Sequence, residues 1–249
     1  QPGNDGLIPL GPEAAFAGWF VERYGESFAV AVTAFRREIE ERLADPEPVR
    51  RFRRGGAAAR RLGAEYPFVQ GAMTWISDQP EFALAVAEAG GVPTVALGLR
   101  DRATLSGELA RLKQTMGNRV YAVNCLALPE NPRLEEQLAL LEEVCPPYVV
   151  IAAGDPTYAG RLTARGIKVI YLAPDPGLLA LAVSKGVNWI VLEGSESGGH
   201  VGAMSTLTLA QAALMARKRE PERFAGVGFI LAGGIGDRRG ARWAAILGA

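Results

Sequence analysis

One stretch of the sequence indicates both the fold and the position of a functional site: Val187-Asn188-Trp189-Ile190-Val191-Leu192-Glu193-Gly194-Ser195-Glu196-Ser197-Gly198-Gly199-His200-Val201-Gly202. Its apolar run, Trp189–Leu192, predicts a buried strand, and a loop of small residues with two glutamates follows. Paired glycines, Gly198 and Gly199, let a backbone approach a ligand because they lack a Cβ atom. His200, the only histidine of the chain, titrates near neutral pH. A strand leading into such a loop is where α/β proteins place their chemistry.

The composition is that of a soluble globular protein. Of the 249 residues, 49% are hydrophobic and 22% are charged. Basic and acidic residues are equal at 27 each, so no net field attracts nucleic acid or an anionic membrane. No apolar run is long enough to span a bilayer. Cys125 and Cys145 lie in apolar surroundings without metal-ligand spacing, which predicts reduced thiols in a cytoplasmic protein and no metal site.

Residues 1–62 differ from the rest of the chain. A helical pattern of apolar residues runs from Pro12 to about Ala44, and Gly25 is a candidate interruption. A break at residues 45–48 precedes a basic segment at residues 50–61, which we interpret as a solvated helix face or linker in preference to a phosphate-binding patch. We therefore predict a helical segment or linker from a larger protein at residues 1–62 and a second domain at residues 63–249.

From Tyr66 onward, short apolar runs alternate with helical segments, which is typical of a parallel sheet covered on both faces. The seven predicted strands are Phe68–Gly71, Thr94–Leu97, Val120–Asn124, Tyr148–Ala152, Lys168–Leu172, Trp189–Leu192 and Gly228–Ala232. Helices are predicted between them and after the last. Seven such units favour an α/β fold of the (β/α)8 TIM-barrel type, truncated after the seventh unit because the sequence stops at Ala249. The alternative is that the N-terminal segment closes the barrel.

The residues at the predicted strand ends include few acids or bases. Because so few side chains there could act as an acid or a base, we predict that the protein takes its reactivity from a cofactor. Gly233 and Gly234, between the last strand and its helix, match the usual phosphate site of such barrels, where backbone N–H groups face an anion. Asn124 lies at the end of a predicted strand and is expected to contact a ligand, because a buried amide without a partner is costly.

Three motifs together resemble the nitronate monooxygenase family, formerly the 2-nitropropane dioxygenases, whose relatives include flavin-dependent enoyl-acyl-carrier-protein reductases. They are Phe68-Val69-Gln70-Gly71-Ala72-Met73, Glu196-Ser197-Gly198-Gly199-His200-Val201-Gly202 and Ala232-Gly233-Gly234-Ile235. The resemblance covers about residues 66–249 and implies a TIM barrel that holds FMN. The sequence around Met73, Gly-Ala-Met-Thr-Trp-Ile-Ser-Asp, looks most like the copies embedded in polyketide or polyunsaturated fatty acid synthases.

The resemblance also implies roles for individual residues. His200 would be the catalytic acid or base. The cofactor-binding residues would be Ala72 and Met73 along the isoalloxazine, Asn124 in polar contact, Glu193, Ser197, Gly198 and Gly199 at the border of the flavin, and Gly233 and Gly234 at the phosphate.

Three functions fit this site. In the first, an FMN-dependent oxidoreductase oxidises nitronates or nitroalkanes with oxygen, and His200 transfers the α-proton. In the second, the chain is an FMN-dependent enoyl-thioester reductase domain that uses NAD(P)H and has acyl carrier protein as a partner. In the third, it is a catalytically silent docking domain. An unpaired sheet edge invites association, so a homo-dimer is a further expectation.

The sequence allows two interpretations of the role of several residues. Glu196 either orients His200 or is a solvated loop acid. Met73 and Trp75 either form pocket walls or pack within the barrel. Asp155, Asp175 and Asp237 are interpreted as helix N-caps or loop acids.

Overall fold

The structure, a computed structural model, describes residues 16–50, 52–199 and 201–248. Its contacts divide the chain into two compact units, residues 1–47 and residues 48–249. Residues 48–62 are therefore grouped with the sheet, whereas the composition had separated them from it. Within the described residues, no helix has both the length and the apolar character needed to cross a membrane.

The described part of the first unit contains two complete helices, α1 (Ala17–Tyr24) and α2 (Phe28–Ala44). The predicted interruption at Gly25 is confirmed, since Gly25 has a φ of 89° between the two helices. The Arg23 guanidinium and the Tyr24 hydroxyl both donate to Glu38 of α2, at 2.6 and 2.7 Å. These bonds join the two helices, and α2 ends at Ala44 as the helical pattern predicted. Residues 12–15 of that pattern lie outside the described residues.

The second unit begins with short helices and continues as alternating strands and helices. The predicted break at residues 45–48 contains the start of a short helix at Glu47, whose amide donates to the Asp45 carboxylate. The helices are α3 (Glu47–Arg50), α4 (Ala57–Leu62), α5 (Pro80–Glu88), α6 (Arg102–Met116), α7 (Leu134–Val144), α8 (Tyr158–Thr163), α9 (Pro176–Ser184), α10 (Thr206–Arg219) and α11 (Arg238–Ile246). The strands are β1 (Thr94–Ala96), β2 (Ala122–Ala127), β3 (Tyr148–Gly154), β4 (Lys168–Ala173), β5 (Trp189–Glu193) and β6 (Gly228–Ala232).

The six strands form one parallel sheet in the order β1-β2-β3-β4-β5-β6, with a helix in each connection. This order and the intervening helices confirm the predicted α/β fold, because each strand of a (β/α)8 barrel pairs with the next one along the chain. Within the described residues the sheet is not closed, since no ladder joins β6 to β1.

The prediction of a regular strand at Phe68–Gly71 is wrong. Only one parallel bridge forms there, between Val69 and Val92. The ladder stops because the amide of Thr94, the next donor along it, bonds the side-chain Oε1 of Gln70 at 2.9 Å instead of a backbone carbonyl. The segment therefore reaches the sheet without extending it.

The two faces of the sheet pack differently. The outer face, which includes Val123, Ile151 and Ile190, packs against the surrounding helices as the main hydrophobic core. The inner face contributes to a second core that contains Leu62 of α4, and the Tyr148 hydroxyl donates to the Leu62 carbonyl at 3.2 Å. Because Ala122, Tyr148 and Trp189 begin or lie near the beginning of their strands, this core fills the N-terminal end of the inner face and leaves the C-terminal end open.

Candidate functional site

A cavity of about 660 Å³ lies at the open end of the inner face. Residues of both edge strands, Thr94 of β1 and Ala232 of β6, line it, so the sheet curves around the space. The six predicted cofactor-binding residues that line it are Ala72, Met73, Asn124, Glu193, Gly198 and Gly199. The structure thus brings together residues from the first two motifs, which are more than 100 positions apart in the sequence.

The wall of this cavity is mostly apolar. Alternate residues of each strand point inward, which places Val150 and Ala152 of β3, Ile170 and Leu172 of β4, Val191 of β5 and Ile230 of β6 along it. A cavity of this size with apolar walls and a few polar groups is typical of small-molecule and cofactor sites, which range over about 300–1,000 Å³.

Thr94 is the first of three buried polar side chains in the cavity, and it was not among the site residues predicted from the sequence. It is 1% exposed, and its hydroxyl has no hydrogen-bond partner among the described residues. A buried hydroxyl left unsatisfied costs free energy. A ligand in the cavity would remove that cost. The only sequence signal was a threonine in an apolar run, and its lack of a partner could be seen only after folding.

Asn124 is the second polar group. It was predicted to end its strand, and this is wrong, because β2 continues to Ala127. Asn124 lies within β2, beside Ala96 of β1 and Val150 of β3, and is 7% exposed. Its side chain still lines the cavity, as its proposed ligand contact requires.

Glu193 is the third polar group and the last residue of β5. It is 8% exposed, and its partner across the sheet is Ala232 of β6. Burial raises the pKa of its carboxyl to about 7, because a desolvated carboxylate is disfavoured relative to the neutral acid. A group with such a pKa exchanges its proton near neutral pH.

The loop after β5 packs against the glycine pair after β6. Gly233 has a φ of 105°, and a Cβ atom there would lie 2.6 Å from Ser197 Oγ and 2.8 Å from Ser197 N. The Ser197 hydroxyl donates to the Ala232 carbonyl at 2.8 Å. Gly234, with a φ of 72°, lies against the Glu196 side chain. Ser197 and Gly233 are thus together, next in sequence to Gly198 and Ala232 of the cavity wall, and Gly234 follows Gly233.

Glu196 has a structural contact at the start of α10. One carboxylate oxygen accepts from the Thr206 amide at 2.8 Å and lies 2.9 Å from the Thr206 hydroxyl. The backbone bond from Thr206 lowers the pKa of this carboxyl, and the bond from the Thr206 side chain adds to the effect. An anion at a helix N-terminus is stabilised by the unpaired amides there. His200, the predicted catalytic residue, lies outside the described residues, and its role stays a prediction.

The structure decides between the two interpretations of the remaining candidate residues. Met73 lines the cavity and is 41% exposed, whereas Trp75 is 86% exposed, so Trp75 does not pack within the barrel. The carboxylates of Asp175 and Asp237 cap α9 and α11 by accepting from two amides each, as predicted. Asp155 accepts from the Thr157 amide and is a loop acid.

No family model matches the sequence. Among curated proteins, the chain is 28% identical over 240 residues to a nitronate monooxygenase from Pseudomonas aeruginosa, covering 76% of this chain and 65% of that protein. It is 27% identical over 191 residues to the (3aS,4S,5R,7aS)-5-hydroxy-7a-methyl-1-oxo-octahydro-1H-indene-4-carboxyl-CoA dehydrogenase of Rhodococcus jostii, covering 76% of this chain and 50% of the relative.

Among solved structures, FabK from Thermotoga maritima superposes with a TM-score of 0.67 at 30% identity, over 77% of this chain and 58% of FabK. The chain therefore spans between half and two thirds of the length of these three proteins. Two of them are oxidoreductases by name, and the nitronate monooxygenase is a member of the family that the motifs resemble. The chain is thus a relative of the nitronate monooxygenases, in a family to which the flavin-dependent enoyl reductases are also related.

Proposed function

We propose that the chain is the flavin-binding part of an FMN-dependent oxidoreductase that oxidises nitronates or nitroalkanes with oxygen. The observation that carries the proposal is the cavity at the C-terminal end of the strands, which residues from the motifs at Gly71–Met73 and Gly198–Gly199 line together. Active sites of barrels of this type lie at that end. The Pseudomonas relative, a nitronate monooxygenase by name, supports the reaction.

The described residues fit a bound flavin in three respects. The apolar wall offers a surface for a planar ring system. The unpartnered Thr94 hydroxyl and the Asn124 side chain offer polar contacts within it. The close approach of Ser197 to Gly233 brings two backbone segments together beside the cavity, and backbone amides in such glycine turns are suited to a phosphate.

A bound flavin would supply the electron acceptor, and the chain would supply orientation and proton transfer. The side chains of Val150, Leu172 and Ile230 exclude water from the ligand, which strengthens each polar contact made there. Thr94 and Asn124 hold polar edges of the ligand. His200 follows Gly199 at the cavity wall in the sequence, and we assign it the transfer of the substrate α-proton, because an imidazole is matched to proton transfer near neutral pH.

A second function, enoyl-thioester reduction, uses the same cavity and would use NAD(P)H as the reductant. The Rhodococcus relative is named for a carboxyl-CoA compound, and this favours a thioester substrate. In this case His200 would protonate the α-carbon of the substrate, and an acyl carrier protein would be the partner that delivers the thioester.

Anaerobic reduction of the FMN-loaded protein separates the two functions. We expect the nitronate of 2-nitropropane to bleach the flavin spectrum and NADPH to leave it unchanged. Bleaching by NADPH, followed by reoxidation with a 2-enoyl thioester, would establish the reductase instead. Bleaching by neither would favour the silent docking domain.

The role of His200 is tested in the same assay with His200→Ala. Ser195→Ala is the matched control, because Ser195 is exposed in the same loop and does not line the cavity. We expect loss of turnover for His200→Ala alone. Equal turnover of the two variants would contradict the assignment.

A further inference from the structure

Glu193 occupies an unusual position for an acidic residue. It ends β5 on the inner face, lines the cavity and is almost fully buried. Glu193 forms no ion pair with any of the described residues. A buried carboxyl without a cationic partner favours its neutral form.

Among the described residues that line the cavity, none besides Glu193 carries a charge. The described side chains of β3, β4 and β6 that line the cavity are apolar. The polar ones from the remaining elements are uncharged and are Gln70, Thr74, Thr94 and Asn124. Of the other titratable groups in the loop after β5, Glu196 is bonded to Thr206, and His200 lies outside the described residues.

The two protonation states of such a carboxyl act differently on a ligand. The neutral acid has one O–H donor and can give a strong, charge-assisted hydrogen bond to an oxyanion. The carboxylate has no donor and repels an oxyanion at the same distance. The remaining neutral donors of the cavity, the Thr94 hydroxyl and the Asn124 amide, suit the same kind of ligand in either state.

We infer that Glu193 is a proton-gated binding residue, whose neutral carboxyl donates a hydrogen bond to a planar XO₂⁻ group of the substrate and whose ionisation releases that group. The inference rests on the proposed function, since a nitronate is an anion of this shape. It adds a role in substrate binding to a residue that the sequence resemblance assigned only to the border of the flavin.

The inference predicts how affinity depends on pH. If only the neutral acid binds the anion, the dissociation constant is unchanged well below the titration of Glu193 and rises about tenfold for each pH unit above it. An uncharged ligand of the same shape shows no such rise. Bound anion in turn holds the proton on Glu193, so titration of the carboxyl moves to higher pH.

The test compares 2-methylpropanoate, a stable anion similar in shape to the nitronate of 2-nitropropane, with its neutral amide, 2-methylpropanamide. Titration calorimetry on protein saturated with FMN at pH 6, 7, 8 and 9 measures both affinities. We expect the anion to weaken about tenfold per unit between pH 8 and pH 9 and the amide to stay constant. Glu193→Gln should flatten the dependence for the anion. Glu196→Gln, in the same loop, should leave it as in the wild type.

A rise of similar size in Glu193→Gln, a parallel rise for the amide, or binding of neither ligand at pH 6 would each overturn the inference. NMR titration of ¹³C-labelled glutamate carboxyls in the wild type, with and without 2-methylpropanoate, decides the matter if Glu193→Gln does not fold. A Glu193 signal that titrates at the same pH with and without the anion refutes the gating. Failure of the protein to bind FMN would refute the proposed function, whereas an affinity for the anion that does not change with pH on FMN-loaded protein would refute only the gating.

Discussion

Replacing Thr94 by valine tests whether the cavity is built for a ligand. The two side chains have nearly the same shape, so Thr94→Val removes the hydroxyl and little else. That hydroxyl is buried and has no partner among the described residues. A buried polar group without a partner costs about 1–3 kcal/mol. We therefore expect ligand-free Thr94→Val to be more stable than the wild type by about 1 kcal/mol, whereas most core substitutions destabilise.

The same change should weaken ligand binding. If the Thr94 hydroxyl bonds the ligand, its loss removes one hydrogen bond with a net worth of about 1 kcal/mol, which is about a fivefold increase in the dissociation constant for FMN. Urea unfolding measures the stability, and quenching of flavin fluorescence on binding measures the affinity. The opposite signs of the two effects distinguish a binding residue from a structural one.

Thr206→Val is the matched control, since the Thr206 hydroxyl is equally buried but lies 2.9 Å from Glu196 Oε2 and 3.1 Å from the Ala232 carbonyl. Its loss should lower the free energy of unfolding by about 1 kcal/mol. The reasoning about Thr94 would be refuted if Thr94→Val were also destabilised by that amount and bound FMN as tightly as the wild type.

Three further predictions concern the loops, the pH dependence and the packed end of the inner face. Gly233→Ala should destabilise by about 2–4 kcal/mol in urea unfolding, because the new Cβ atom meets Ser197 at a strained φ, whereas Gly236→Ala, with nothing within 4 Å, should cost less than about 1 kcal/mol. The folded protein holds the Glu193 proton more tightly than the unfolded chain, so the stabilisation is complete below about pH 4.5 and is lost as the pH rises through about 7. The loss is about 3 kcal/mol at most, and Glu193→Gln unfolded in parallel should lack it. Tyr148→Phe should cost about 1 kcal/mol in the same assay, since it removes the bond to the Leu62 carbonyl; an unchanged midpoint would refute that bond.

The order of strands and helices could be predicted from the sequence because each element after residue 80 carries a strong local pattern. The run at Trp189–Leu192 is an example, since its apolar residues and the glycines after it indicate a strand and a loop without knowledge of any neighbour. The segment Phe68–Gly71 also begins with two apolar residues, yet it fails as a strand. The reason is a tertiary hydrogen bond, from the Thr94 amide to the Gln70 side chain, which no local pattern reveals.

The candidate site could be predicted only in part for a similar reason. Loop residues such as Gly198 and Gly233 stand out because each belongs to a glycine pair that comes soon after an apolar run. Thr94 does not stand out, because its importance lies in a missing partner. Likewise, the unusual pKa of Glu193 follows from burial at the end of β5, which depends on the curvature of the whole sheet.

The central claim is that the cavity inside the curved sheet holds FMN. Its most direct test is titration of the purified protein with FMN, comparing the wild type with Ala152→Phe, which fills the cavity from β3, and with Ala103→Phe on the exposed surface of α6. We expect wild type and Ala103→Phe to bind with equal affinity and Ala152→Phe to bind at least about tenfold more weakly, because a side chain then occupies the space of the ring. Equal binding by all three proteins, or no binding by the wild type, would contradict the account.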